Sequence, residues 1–349
     1  MSGVNRVLPA RTLIQAFVLL SVPLMAPGCS AIPATGDSGF TPFMSPEEES
    51  RIGEAEHKRI VAEHNGIYRD PQLQAYVDAV GRRIAEVTET PDAAFRFTIL
   101  DTIAANAYAL PGGYIYVTRG LLALLEDEAE LAGILAHEIA HVTSRHAAQA
   151  YSSKTASSVS FMILSVLTAG LSEIVERGAK YYFRSYGRDQ EREADAIGLT
   201  YLQRGKYDPR GLQRALSRMR EYDALTIESI HRERAGEGSG LSTHPAVEER
   251  AATLESTIAE SREIGPWRRG RDDYLARIDG LPLFFHALKG IARIRLVEAG
   301  NATSVDIIAG DPSAAVDESW INVLNGLAPG QRVRRGERIK TVVFESKDR

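Results

Sequence analysis

Apolar residues recur at three- and four-residue spacing along most of this chain, and only one region, around residues 95–117, alternates as a strand should. The first helical pattern, "SPEEESRIGEAEHKRIVAEH", has Ser45 as an N-cap, Pro46 in the first helical position and acids in the first turn. A second helix is predicted from Pro71 to about Val87, with Leu73, Val77, Val80 and Ile84 on one face. "FRFTIL" (95–100) alternates, and "NAYALPGGYIYVTRG" (106–120) reads as two extended pieces broken at Pro111-Gly112-Gly113. Helices then dominate. One covers about 127–150, with Asp127 as cap, Glu130 completing a capping-box-like pattern, and Leu131, Ile134 and Leu135 facing inward. Residues 159–171 are nearly all apolar but too few to cross a bilayer, so a buried core helix is expected there. Another helix, 188–204, stops at Gly205 with Pro209 beyond it, and two more lie near 209–224 and 245–261. The polar run "GPWRRGRDDY" sits in a loop-like linker, 263–285, and from 286 the pattern becomes short and mixed. These elements predict an α+β fold: a mainly helical domain over 46–262 with a small β-sheet, then a small α/β module over 286–349. No tandem repeat is present.

Composition supports that division. A chain of 349 residues with 44% hydrophobic residues can bury one sizeable core and a smaller second unit. The net charge of −5 is spread without long blocks of one sign, so no phosphate-tracking surface and no nucleic-acid partner is expected. Cys29 is the only cysteine, which excludes an internal disulfide and a cysteine-built zinc site. It follows Arg6, Arg11, the apolar run "LIQAFVLLSVPLMA" and Pro27-Gly28, the order of a secretory signal over 1–28. "APGC" resembles a bacterial lipoprotein signal, which implies acylation of Cys29 and a membrane anchor. Ala26 departs from the usual Leu of that pattern and leaves a plain signal peptide as the alternative. Ser30 after the cysteine favours the outer membrane by the same resemblance. Residues 29–45, rich in Pro, Gly, Ser and Thr, read as a flexible tether.

Candidate chemistry concentrates in "LAGILAHEIAHVTSRHA" (131–147). His137 and His141 lie four apart, about 6 Å along a helix axis and nearly in line around it, so both can reach one ion. Glu138 projects about 100° away, where it can touch a bound water without being a ligand. Both histidines are in phase with Ile134 and would be carried inward, where a metal removes the cost of leaving them unpaired. Two solvated histidines remain the alternative on this pattern alone. The second stretch is "GRDQEREADAIGLTYLQRG". Glu191 and Asp195 share a face with Gly198, Leu199 and Leu202, whereas Glu193 points the opposite way. Since a catalytic zinc takes three protein ligands and keeps one open position, Glu191 is the preferred third ligand. A surface helix with solvated acids is the alternative. His146, five past His141, is out of phase with the pair. His57 and His64 lie on a charged helix and should be solvated, and His231 and His286 fall among charges and in the linker.

Four stretches in order, "NAYALPGGYIYVTRGLL", "HEIAHV", "EREAD" and "STHPAVEER", resemble the HtpX/BepA/Oma-type zinc metallopeptidases, relatives of the CAAX prenyl proteases, over about 46–262. The resemblance implies a zincin-like (gluzincin-type) metalloendopeptidase domain with one Zn2+ per chain, held by His137, His141 and Glu191. It also implies Glu138 as catalytic base, and Asp195, His244 and Arg250 as supporting residues, with His244 able to occupy the open zinc position. No full-length spanning helix is evident, which favours the exported BepA-like branch over the membrane-embedded one. Zinc would lower the pKa of a bound water to roughly 7, and Glu138 would carry its proton to the leaving amine. An edge strand in "NAYALPGGYIYV" would hold extended peptide without reading much sequence. Expected substrates are unfolded or misassembled envelope proteins on the periplasmic side of a bacterial cell envelope. The tail, "RIRLVEAGNATSVDIIAG" leading to "WINVLNGLAPGQRVRRGERIKTVV", resembles a LysM module, which implies contact with peptidoglycan. Gly300-Asn301-Ala302-Thr303 replaces the usual Gly-Asp-Thr there, and a packing cap is the alternative. Two functions follow: a zinc endopeptidase of envelope quality control, or a chaperone-like or peptidoglycan-binding assembly factor with a latent metal site.

Overall fold

Reciprocal capping starts the helical body. Ser45 accepts from the Glu48 N–H while the Glu48 carboxylate accepts from the Ser45 N–H, opening α1 (Pro46–Glu63). Asp70 caps α2 (Pro71–Ala85) through two backbone N–H groups, and α2 turns Leu73, Val77, Val80 and Ile84 into the core. The computed structural model describes residues 29–41, 44–153, 186–232, 246–261, 265–286, 290–300, 305, 308 and 314–345. The signal segment 1–28 and the apolar stretch 159–171 lie outside them. Among the described residues, no helix is long and apolar enough to cross a membrane.

Three strands, β3 (Arg96–Leu100), β4 (Ala107–Leu110) and β5 (Tyr114–Thr118), form a sheet in the order β3-β5-β4. β5 runs parallel to β3 and antiparallel to β4, so β3 and β4 are the outer strands of this sheet among the described residues. The β4–β5 turn depends on Gly112 at φ +78°, where an added Cβ would stand 2.7 Å from the Ser50 Cα. Thr118 caps α3 (Arg119–Leu124), and Asp127 caps α4 (Glu128–Thr143). Almost every side chain of α4 is buried, as expected for a central helix that is enclosed on all sides. It packs against α2, α5 (Arg188–Arg204) and α6 (Arg210–Arg232), and α7 (Val247–Ser261) lies against α6 and α5. At Gly198 of α5 an added Cβ would come within 3.2 Å of the His137 backbone nitrogen, so the two metal-motif helices meet backbone to backbone.

The N-terminal end of α4 carries a buried acidic run whose members are paired. Arg271 meets Glu126, Arg214 and Arg269 meet Asp127, Arg83 and Arg268 meet Glu128, and Arg218 meets Glu130. Negative charge at this end suits the helix dipole, and the arginines offset its desolvation. Three of these arginines belong to the polar run expected as a loop. The chain there instead forms α8 (Arg271–Ile278), with Tyr274, Leu275 and Ile278 in the main core.

Beyond α8, β6 (Pro282–His286), β7 (Gly290–Glu298) and β8 (Arg338–Phe344) form an antiparallel sheet with α9 (Glu318–Asn325) beside it. A strand and a short helix fall within the two tail stretches, but the final strand, expected to end near Ile339-Lys340, begins at Arg338 and runs on to Phe344. β6 adds a third strand, and Ala292, Ile294, Leu324 and Val342 join the same core as α4. Lys340 on β8 is fully buried. Its ammonium donates to the carbonyls of Ala123, Leu124 and Leu125 at 3.0, 3.0 and 2.7 Å, closing the end of α3, and lies 3.2 Å from Glu126.

At the other end, the segment expected as a flexible tether carries a short antiparallel hairpin, β1 (Cys29–Ala31) with β2 (Ser38–Phe40). Ile32, Thr41 and Met44 are buried, the Ala34 N–H donates to the Thr143 carbonyl, and Arg145 donates to the Met44 carbonyl at 2.8 Å. Those contacts, spread over a hundred residues of sequence, give order to a segment whose composition alone favours flexibility.

Candidate metal centre

α4 and α5 bring three donors to one point. His137 and His141, one turn apart on α4, set their Nε2 atoms 3.1 Å from each other. Glu191, in the first turn of α5, holds Oε2 3.5 Å from His137 Nε2 and Oε1 3.4 Å from His141 Nε2. One ligand atom from each residue lies within 4.8 Å of the other two, and the residues are 3%, 1% and 0% exposed. Two imidazoles and a carboxylate form a donor set that fits zinc, which takes three protein ligands in catalytic sites. Glu193, the rival for third ligand, is not in this group.

The surroundings fix those donors. His137 Nδ1 lies 3.0 Å from Asp195 Oδ1, one turn after Glu191 on α5. Arg250 of α7 donates to both Asp195 oxygens at 2.7 Å and stands 2.5 Å from Glu191 Oε2, so one guanidinium balances two buried carboxylates. Burial opposes a proton on His137, but its hydrogen bonds to Asp195 and Glu191 outweigh that and raise its pKa to about 9. A metal taking this nitrogen must displace that proton. Burial dominates at His141 and drives its pKa well below the usual value. Burial would raise Asp195, yet hydrogen bonds from Arg250 and His137 hold it below the ordinary carboxylate range. Glu138 is buried beside His137, and its charge is felt by Tyr186 and Arg250.

Thus His137, Glu138, His141, Glu191, Asp195 and Arg250 lie together in the fold. His244 lies outside the described residues. Cys29 lies in β1. Two neighbours of the site were not anticipated. His146 sets Nδ1 2.8 Å from His141 Nδ1, and its Nε2 is 3.3 Å from Glu193. Tyr186 stacks flat on the His141 ring, centroid to centroid 3.9 Å at 14°. A histidine shortly after the paired histidines and an aromatic shortly before the acidic motif were the available signals. Two more histidines differ from expectation: His57 bonds the Tyr116 hydroxyl at 2.8 Å, and His64 bonds the Ile60 carbonyl at 2.9 Å. A small cavity lined by Ala109, Leu110, His141 and Tyr186 joins the edge strand β4 to the donors.

The family model described as "Peptidase family M48" matches residues 71–258, which spans every described residue of this cluster. The chain is 27% identical over 285 residues to the beta-barrel assembly-enhancing protease of Escherichia coli K12, covering 78% of this chain and 56% of that protein. It is 31% identical over 208 residues to the protein of the same name from Yersinia pestis, covering 56% of this chain and 42% of that one. A mitochondrial metalloendopeptidase OMA1 from Schizosaccharomyces pombe is 26% identical over 227 residues, 61% of this chain and 62% of its own length. The chain spans about half the length of the beta-barrel assembly-enhancing proteases it matches.

Proposed function

The chain belongs to peptidase family M48, and from that membership we propose that it is a zinc-dependent endopeptidase acting on unfolded or misassembled proteins of a bacterial cell envelope. The observation that carries this reading is the convergence of His137, His141 and Glu191 beside the buried Glu138. Those three residues would hold one zinc ion. When bound, it supplies Lewis-acid polarisation of the scissile carbonyl and acidifies the attacking water. Glu138 takes the proton from that water and returns it to the departing amine. Asp195 accepts from His137 Nδ1–H and so keeps Nε2 bare for the metal, while Arg250 holds Asp195 and Glu191 in place. β4, an outer strand of its sheet among the described residues, lies beside the site, and an extended peptide laid along it would be held in a mode that reads little sequence and suits unfolded chains. His244 is proposed as the removable occupant of the fourth position.

The names of the bacterial relatives point to outer-membrane proteins under assembly as the substrate class. With Cys29 acylated, the enzyme would work as a lipoprotein on the periplasmic face of the outer membrane. Labelled fatty acid should enter the wild type and not Cys29→Ala. The rival reading is an assembly factor that binds clients or peptidoglycan without cleaving. Metal analysis together with cleavage of an unfolded test protein, wild type against Glu138→Gln, decides between them: metal without any cleavage in the wild type supports the rival.

A further inference from the structure

We propose that His146 and Glu193 are positioning residues that fix the tautomer and ring orientation of His141, as Asp195 does for His137; this rests on the reading of His141 as a metal ligand. Helix α4 ends at Ser144, and Arg145 takes a left-handed φ of +53°. The chain then resumes as helix over 146–153. That break returns His146 to His141, with ring centroids 4.9 Å apart and planes at 70°. Arg145 is itself held by Glu49 at 3.2 Å and by the Met44 carbonyl at 2.8 Å, and Gln190 of α5 donates to the His146 carbonyl at 3.2 Å. His146 is fully buried.

Two Nδ1 atoms 2.8 Å apart can bond only if one of them carries a proton. If that proton sits on His146, His141 must carry its own on Nε2, the atom aimed at Glu191 and His137. His146 Nε2 would then face the Glu193 carboxylate as lone pair against lone pair. If the proton sits on His141 Nδ1, the contacts behind the ring are all satisfied, and Nε2 is left for a metal to take. His141 donates to His146, His146 donates from Nε2 to Glu193, and His141 Nε2 is left bare. Glu193, as an acceptor without a proton, sets the direction of the whole chain. In this way Glu191, Glu193 and Asp195 of one helix serve three positions: the donor cluster, the back of His141 and the back of His137.

Removing an outer partner of a ligating histidine typically costs about 10–100-fold in metal affinity. Zinc affinity would be measured by chelator competition, and the cobalt-substituted protein by its visible spectrum. His146→Leu and Glu193→Ala should each weaken zinc by about tenfold or more and shift the cobalt bands. His146→Asn, whose amide oxygen can accept where Nδ1 did, should recover most of the loss. Glu193 is half-exposed, so its variant reports even where a substitution at buried His146 fails to fold. His141→Ala separates the two levels. If zinc binding survives it unchanged, the metal reading itself falls. If His141→Ala loses zinc while Glu193→Ala and His146→Leu keep wild-type affinity and spectrum, the positioning proposal is overturned.

Discussion

Arg250 lays its guanidinium along Asp195, with Nε and Nη2 each 2.7 Å from a carboxylate oxygen, inside a part of the protein from which water is excluded. Truncating it leaves two buried acids without their cation. Arg250→Met should therefore destabilise the metal-free protein by about 3–5 kcal/mol in denaturant unfolding. Arg250→Lys should recover only part, because an ammonium cannot bridge both oxygens of Asp195 and still reach Glu191. A loss below about 1 kcal/mol for Met would show that the pairing is not holding α5 to α7.

His137→Ala, His141→Ala and Glu191→Ala should each strip the metal from purified protein, as read by elemental analysis. Glu138→Gln should keep it and lose about 10²–10⁴-fold in hydrolysis, since a base is removed and no ligand is touched. Full activity in that variant would end the proposed mechanism.

Gly198 sits where α5 touches the backbone of His137, and an added Cβ would meet the His137 Cα at 3.3 Å. Gly198→Val should push the helices apart, costing about 1–3 kcal/mol, and should weaken metal binding because Glu191 and the histidines ride on opposite sides of that contact. Thermal unfolding and chelator competition on the same preparation check both parts.

Lys340 gives a pH dependence of definite sign. Burial pulls its pKa down from 10.5 to about 8 in the folded chain. Between those values the unfolded chain binds more protons than the folded one, so stability should rise as pH increases from about 8 to 10. That rise should vanish in Lys340→Met, which should also be less stable at neutral pH because three carbonyls at the end of α3 lose their donor. Urea midpoints at several pH values for the two proteins test the sign.

The donors were legible because their spacing is local. Residues 137, 138 and 141 share a helix, and Glu191 and Asp195 share another, so counting along the chain placed them on the correct faces. His146 was lost for the converse reason. The count assumed an unbroken helix, and the left-handed turn at Arg145 is set by Glu49 and Met44, about a hundred residues away. The run around Trp267 read as linker because three arginines in four residues are polar wherever pattern alone is judged. Of their partners, Asp127 read only as a helix cap, and nothing in the pattern marked Glu126 or Glu128. Neither half shows that the other will be buried with it.

The hairpin at the start of the described chain sets a working radius. Fully extended, residues 29–45 would form a leash of roughly 55–60 Å, letting the enzyme roam widely from whatever holds Cys29. Folded, the leash is reeled in: Cys29 pairs with Phe40, Ala34 is tied to the end of α4, and Arg145 grips Met44. Were Cys29 to carry the acyl chain proposed above, the donor cluster would be held at a set height over the lipid, and clients would have to come to it.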